Sequence, residues 1–489
     1  GDTAKIPARS SRGFRKNKIV MKKETKNNVN RRSFLKTGVA VATVSVLPRW
    51  ILGGAGATPP SEKIYIAIIG TGGQGRTNAE ALFREPDAQI VAVCDPNEES
   101  DYTPFYYGGK AGRSPVKQRI EAHYSKQNPS FKCNEYEDFR VMFDKEKGID
   151  AVLIATPDHV HAVATATAMR LKKNVYCEKP LTHNVWEARQ IAKIAKETKV
   201  ATQMGNQGHS GEGIRMTCEW IWAGAIGQVR EVHVWSDTGG WAKGPGRPKE
   251  TPPVPKGLNW DLWLGPREYR PYHPAYAPYN WRGWWAFGTA AIGDMACHNF
   301  DPAVWALKLE APISIEACAP GVDSEVVSQC SIIRFNFPAR GDMPPVKAIW
   351  YDGGLRPERP EELEEDQVLG GGGNGILFIG DKGKIMCAGW GGSPVLLPQS
   401  RMDEFQRPPK TIPRSKGHHR DWLDACKNGT QPSSNFEYAA KLTEIVLLGN
   451  VALRTKKKIY WDSENMRAKN APEADRFIKE TYRQGWEVV

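Results

Sequence analysis

The chain has no hydrophobic run long enough to cross a bilayer. Its most apolar early stretch, Val39 to Leu47, is about half of what a membrane-spanning helix needs. Cysteine is scarce: nine residues in 489, with none before Cys94 and no Cys-x-x-Cys or Cys/His grouping. That argues against a lipoprotein anchor on the N-terminal segment and against a zinc site, so no metal is expected. Net charge is also missing from most of the chain. Residues 1–57 carry 13 Lys and Arg against 2 Asp and Glu, while the other 54 basic and 53 acidic residues nearly cancel. A body so balanced offers no electrostatic footprint for DNA or RNA, and no nucleic-acid partner is expected. Internal repeats are absent too. What remains, at 40% hydrophobic residues with 17 tryptophans, is ample for two or three packed domains.

The basic segment reads as a leader. Arg31-Arg32-Ser33-Phe34-Leu35-Lys36 resembles the twin-arginine motif of bacterial signals that export folded proteins. The apolar stretch then gives way to small residues ending Ala55-Gly56-Ala57, which suit signal-peptidase cleavage. Met21 opens a natural n-region and is a candidate true start, with residues 1–20 upstream of it. Residues 1–57 are thus expected to engage the twin-arginine export machinery and leave a soluble periplasmic or otherwise exported protein. A basic tail with a chance Arg-Arg is the alternative.

Residues 63–95 hold the densest chemical signal. Ile64 to Ile69 is a short apolar run, as in a strand covered on both faces. Gly70-Thr71-Gly72-Gly73-Gln74-Gly75 follows at once. Its three spaced glycines allow a tight turn, a close approach by a pyrophosphate, and close helix–strand packing. A helix from near Gly73 would turn its positive end to the phosphates. The next apolar run, Ile90 to Val93, ends at Asp95, placed to accept the adenosine ribose hydroxyls and to repel a 2′-phosphate. NAD is therefore expected in preference to NADP; Asn97 leaves room for NADP, and a mere loop cap is the other reading of Asp95.

Strand and helix signals keep alternating to Met204. Ala151 to Ala155 stops at Thr156-Pro157, and Asn174 to Cys177 stops at Glu178-Lys179-Pro180. Lys179 thereby sits at the carboxyl end of a parallel strand, where open α/β sheets bind ligands. The Tyr- and Gly-bearing segment Asp101 to Ser114 reads as an inserted loop. Past about 210, strand-like stretches such as Val229–Trp235, Cys330–Phe337, Val346–Tyr351 and Ile376–Ile379 lack helical crossovers. The expected fold class is α/β with a doubly wound parallel Rossmann sheet over 62–184, plus an α+β domain with a large, mainly antiparallel sheet over 185–489. An amphipathic helix over 436–454 is expected to pack back on the first domain.

Asp294 and His298 are four residues apart, hence on one face of a helix, where a carboxylate can raise an imidazole's basicity and fix its tautomer. Alone, such a pair is more often a surface pair. With Glu178-Lys179-Pro180, Ala155-Thr156-Pro157, His159, His161 and the glycine loop, however, the chain resembles the Gfo/Idh/MocA oxidoreductases over roughly residues 62–455. That resemblance implies that Lys179, Asp294 and His298 are catalytic, with Lys179 touching the reacting hydroxyl. It implies cofactor contacts from Gly70, Thr71, Gly72, Gly73, Gln74, Gly75, Asp95, Thr156, Pro157, His161, Glu178, Lys179 and Gln207. Substrate would meet Lys179, Asn206, His209, Trp281, Arg282, Asp294 and His298, with Asn299 and Asp301 assisting. Trp284, Trp285 and Tyr272 suit either sugar C–H faces or plain core. The Gln203–His209 segment departs from the commoner family pattern of a following Arg and Phe, which leaves the substrate class open.

The expected activity is hydride transfer between a sugar, polyol or glycoside hydroxyl carbon and a tightly bound nicotinamide. His298 would take the proton and Lys179 would polarise the oxygen. Export with the cofactor already loaded favours a redox-neutral cycle. An NAD-dependent glycoside hydrolase working through a transient keto-sugar, and a non-catalytic carbohydrate-binding protein on the same fold, are the alternatives. Homo-oligomerisation through the outer face of the second sheet is implied by the resemblance.

Overall fold

Ile64–Ile69 (β1) becomes the middle of a parallel sheet because five of its six side chains can be buried at once. Each such Ile contributes about 1.5–3 kcal/mol on leaving water. The computed structural model describes residues 58–241 and 244–488; the expected leader, with Arg31, Arg32 and Ala55–Ala57, lies outside the described residues. Around β1 assemble β2 (Ala88–Cys94), β5 (Asn134–Tyr136), β6 (Ala151–Ile154), β7 (Asn174–Glu178) and β8 (Thr202–Gly205), in the order β5-β2-β1-β6-β7-β8. All five pairings are parallel. The short pair β3 (Ser100–Asp101) and β4 (Lys110–Ala111) brackets the inserted loop. Helices α1 (Gly73–Leu82), α2 (Arg113–Tyr124), α3 (Phe139–Lys145), α4 (Asp158–Arg170) and α5 (Val185–Thr198) provide the crossovers. The last strand of this layer, β8, comes after residue 184. Helix α5 starts where it does because Asn184 and Glu187 cap each other's backbone amides.

The second layer is a nine-stranded mixed sheet: β15 (Val395–Leu397), β14 (Gly383–Ala388), β13 (Asn374–Gly380), β9 (Val229–Ser236), β12 (Val346–Tyr351), β11 (Ile332–Phe337), β10 (Ser314–Cys318), β16 (Ile459–Asp462) and β17 (Arg467–Ala468), in that spatial order. Every neighbouring pair is antiparallel except β9 with β12. Its helices are α6 (Glu212–Trp222), α7 (Trp260–Leu264), α8 (Ala290–Asn299), α9 (Asp301–Ala306) and α10 (Gln399–Glu404), while α11 (His418–Asn428) packs against β1 of the first sheet and α12 (Phe436–Thr455) lies between the layers.

Helix α12 is the splint between the layers. It is buried along most of its length and touches α5, α8, β8 and β10. The Arg189 fork on α5 donates to both carboxylate oxygens of Glu444 on α12, at 2.6 and 2.7 Å. The aromatic-rich stretch before α8 forms a core of its own, in which Trp260, Trp263, Tyr276, Trp284 and Phe287 pack together. Trp284 and Tyr272 belong to that cluster and Trp285 to the main core, so these three serve packing and do not face the cleft.

Candidate active site

The two layers enclose one continuous cavity of about 480 Å³ at the carboxyl ends of the parallel strands. At one end it meets Asp95, Asn97 and Glu137; at the other it meets Lys179, Asp294 and His298. The glycine loop forms its floor. Gly70 has φ +85°, and a Cβ there would come within 2.5 Å of Ala155 backbone. A Cβ on Gly75 would lie 1.9 Å from the Gly70 carbonyl oxygen, so helix, turn and strand meet only because both side chains are missing. Gly72 caps α1 without any side-chain bond of its own, and the Tyr102 hydroxyl takes the Gly73 amide at the start of the helix.

Asp95 turns one oxygen to the Thr71 amide at 2.7 Å and the other to the Asn97 amide at 2.9 Å. It is thus a loop cap and a cleft-lining carboxylate at once. Burial raises its pKa, against the lowering effect of those amides. A glycine turn running into α1, covered here by Tyr102 and Tyr107 of the inserted loop, and a carboxylate at the end of β2 fit a dinucleotide with an unphosphorylated ribose.

Gln74, Thr156, Pro157, Glu178 and Gln207 also line the cavity. Glu178 is committed to the protein: it accepts from Gln74 at 3.1 Å, Asn78 at 2.8 Å and Gln207 at 3.1 Å. His161 reaches the carbonyls of Pro180 at 2.7 Å and Thr156 at 2.9 Å with its two ring nitrogens. Burial pushes its pKa down to about 4, so near neutrality it carries one proton, which it can donate to only one of the two carbonyls. Its nitrogens point at backbone and leave none for the cofactor.

At the opposite end, Lys179 Nζ donates to Asp294 Oδ1 at 2.6 Å, and Arg282 Nε stands 3.6 Å from the same oxygen. Arg282 also lies over the rings of Trp281 and Tyr279, at 4.2 and 4.5 Å. Burial alone would raise the Asp294 carboxyl, but Lys179 and Arg282 outweigh it and hold the pKa at about 2. Burial opposes the Lys179 charge and Asp294 more than offsets it, so its pKa stays above the ordinary value.

His298 differs from the expectation. Helix α8 does place it one turn from Asp294, yet the carboxylate is drawn to two cations and does not hydrogen-bond the imidazole. Among the described residues His298 Nδ1 has no hydrogen-bond partner. Burial, followed by the Lys179 charge, pushes its pKa well below the ordinary value, so the ring is a neutral acceptor rather than a more basic one.

Asn206 and His209 do not reach the cavity. Asp301 on α9 draws both: Asn206 donates to it at 3.0 Å and His209 Nδ1 lies 2.9 Å from it. Both are buried, with His209 stacked on Trp305 at 4.2 Å. Asn299 and Asp301 likewise turn away from the cleft, Asn299 towards Asn374 and the Trp235 carbonyl. Trp281 and Arg282 do line the cavity.

Several cleft residues escaped the sequence reading. The inserted loop lays Tyr102 and Tyr107 over the glycine floor, where a Cβ on Gly72 would meet the Tyr102 hydroxyl at 2.6 Å. Arg76 fastens this strap through the carbonyls of Lys110 at 3.0 Å and Tyr107 at 2.6 Å. Phe105 stacks on Tyr279 of the second layer at 4.8 Å, so the strap bridges both walls. Trp390, Asn374 and Trp486 complete the lining. Tyrosines clustered in an aperiodic insertion, and a tryptophan set among glycines, were the available signals.

Comparison with known proteins agrees with this geometry. A model of an oxidoreductase family with an NAD-binding Rossmann fold, Gfo/Idh/MocA, matches residues 64–206. The model of that family's C-terminal alpha/beta domain matches residues 224–342, and together the two cover more than half of the chain. An inositol 2-dehydrogenase of Rubrobacter xylanophilus is 33% identical over 140 residues, 28% of this chain and 33% of the relative. A glycosyl hydrolase family 109 protein of Stenotrophomonas maltophilia is 31% identical over 156 residues, 31% of this chain and 29% of the relative. The chain therefore matches only about a third of these relatives' lengths. The WlbA dehydrogenase of Bordetella pertussis, solved with NADH and UDP-GlcNAcA, shares the fold with a TM-score of 0.53 at 16% identity, covering 82% of this chain and 99% of that one.

Proposed function

From the premise that this chain belongs to the NAD-binding Gfo/Idh/MocA oxidoreductase family, we propose that it oxidises a hydroxyl-bearing carbon of a sugar, polyol or glycoside, as an exported enzyme with its cofactor resident. The observation that carries this reading is the cluster of the Lys179–Asp294 pair, Arg282 and His298 at one end of the cavity whose other end is the dinucleotide seat. Bound NAD supplies a nicotinamide carbon that takes up hydride and can return it.

The chain's own groups manage the proton and the charge. Neutral His298 accepts the hydroxyl proton. The Lys179 ammonium, held in place by Asp294, donates to the same oxygen as negative charge develops there, and burial strengthens that interaction. Arg282, the second cation on Asp294, fixes that carboxylate and leaves the cluster with one net positive charge. Asp95 at the far end favours NAD over NADP by repelling a 2′-phosphate, while Glu137 and Asp138 beside it are paired with Arg113 and Arg140.

A second reading, cleavage of a glycosidic bond through transient oxidation, is favoured by the similarity to a family 109 glycosyl hydrolase and by the strap over the cofactor seat. Oxidation acidifies the neighbouring C–H, elimination expels the substituent, water adds to the resulting unsaturated ketone in its place, and returning the hydride leaves the cofactor as it began. The twin-arginine motif supports export of a loaded, folded enzyme, in which such a closed cycle needs no cofactor exchange.

The test is to incubate the purified, NAD-loaded protein with a panel of sugars, polyols and glycosides, following nicotinamide absorbance and released free sugar together. Absorbance that rises with substrate marks net oxidation, and free sugar without it marks the redox-neutral cycle. Neither signal across the panel, with NAD bound, would sink both readings and leave a non-catalytic binding protein.

A further inference from the structure

We infer that Trp390 is the platform on which the ring of a cyclic sugar substrate lies, an inference that rests on the carbohydrate reading above and names the residue that recognises the ring. Trp390 occupies the turn at the end of β14, between Gly389 and Gly391. Its backbone is left-handed, with φ +59° and ψ +21°, which a bulky side chain rarely adopts and which is characteristic of sites where position matters more than comfort.

Two neighbours set it there. Asn299 Oδ1 accepts from the Trp390 amide at 3.0 Å, while Asn299 Nδ2 donates to the Trp235 carbonyl at 3.1 Å and to Asn374 at 2.8 Å. This buried carboxamide is therefore spent on the turn. On the other side Gly208, in the loop after β8, leaves the room that Trp390 needs: a Cβ there would lie 2.7 Å from Trp390 Cβ.

The indole so fixed does not pack. It is 43% exposed, and among the described residues it joins none of the apolar clusters. It lines the cleft instead, its ring centroid 5.7 Å from that of His298 at a tilt of 54°. An uncovered aromatic face beside the group that takes the hydroxyl proton is a surface for the C–H face of a pyranose ring, which leaves the ring's hydroxyls free to meet His298 and Lys179. An acyclic polyol has no such face to offer.

The experiment uses the full, NAD-loaded protein with methyl pyranosides and with alditols. Trp390→Ala is expected to raise KM for the pyranosides roughly tenfold or more while kcat and alditol kinetics stay within about twofold, and Trp390→Phe to restore most of the loss. Asn299→Ala, which frees the turn without touching the ring, should shift pyranoside KM in the same direction by less. Equal losses for rings and chains, or no change in either, would overturn the platform. Saturation-transfer NMR with the same pyranosides separates this inference from the one it rests on. Pyranosides that bind the wild type but not Trp390→Ala, without any turnover, would retain the platform and reject hydride transfer; equal binding to both, or binding to neither, would reject the platform.

Discussion

Lys179 keeps its charge because Asp294, 2.6 Å away, opposes the burial that would strip it, and Asp294 keeps its own because Lys179 and Arg282 do the same. Replacing Lys179 with Ala should lower hydride transfer about 10²–10⁴-fold, since the developing alkoxide loses its cationic donor. Cofactor affinity should move little, because the glycine floor and Asp95 are untouched. Single-turnover absorbance and a direct NAD titration would separate the two effects, and near-normal turnover would remove Lys179 from the chemistry. His298 gives a pH prediction. Its pKa lies well below 6.5 through burial and the Lys179 charge, so the neutral, proton-accepting form persists as pH falls past that value. The kcat/KM profile should lack an acid limb near 6.5 and fall only in more acidic solution. A limb at the ordinary imidazole value would mean that a different histidine, or a solvated His298, carries the proton.

The regular elements were legible in the sequence because their cause is local. The apolar run at 64–69 is β1 residue for residue, and the predicted helix over 436–454 agrees with α12 within a residue. Lys179 and the Asp294/His298 helix were legible for the same reason, since Glu178-Lys179-Pro180 punctuates a strand end and i, i+4 spacing is a property of one helix. What escaped depends on partners far along the chain. Asn206 and His209 looked like cleft residues until Asp301, about 90 positions on, claimed them; Asp294 took a partner 115 positions back rather than the histidine one turn away. The strap has no periodicity to read, and its role follows from where it lands. Two charge-assisted bonds from Arg76 fasten it to α1, of which the part-buried one to the Tyr107 carbonyl is worth about 1.5–3 kcal/mol and the exposed one to Lys110 little. Arg76→Ala should therefore speed release of bound NAD roughly ten- to a hundredfold, read by chasing labelled cofactor with unlabelled. An unchanged release rate would show that Phe105 on Tyr279 and the Gly112–Thr71 backbone bond hold the strap without it.

The molecule works only if its two layers keep the cleft between them, and the joint that does this contains a buried acid. Asp158, at the start of α4, accepts the Thr289 hydroxyl at 2.7 Å, and Thr289, just ahead of α8, is in turn held through its carbonyl by Asn450 of α12. Burial raises the Asp158 pKa from 3.8 to about 6, with the nearby Asp294 charge adding to the effect and the Thr289 bond opposing it. Because the folded value is the higher one, the folded chain binds this proton more tightly than the unfolded chain does. The stabilisation is complete below about pH 4 and is lost as pH rises through about 6. Asp294 runs the other way: its folded value, about 2, is depressed, so its contribution is present above 3.8 and disappears only as pH falls through about 2. Above about pH 6 the cost of ionising Asp158 in a buried joint is about 2–3 kcal/mol. Asp158→Asn keeps an acceptor for Thr289 and removes that cost. Urea unfolding should find the variant more stable than the wild type by about 2–3 kcal/mol at pH 7 and nearly equal to it at about pH 4. A difference of the same size at both pH values would mean that the carboxyl never resists ionisation, and that Thr289 joins the layers without any dependence on its charge.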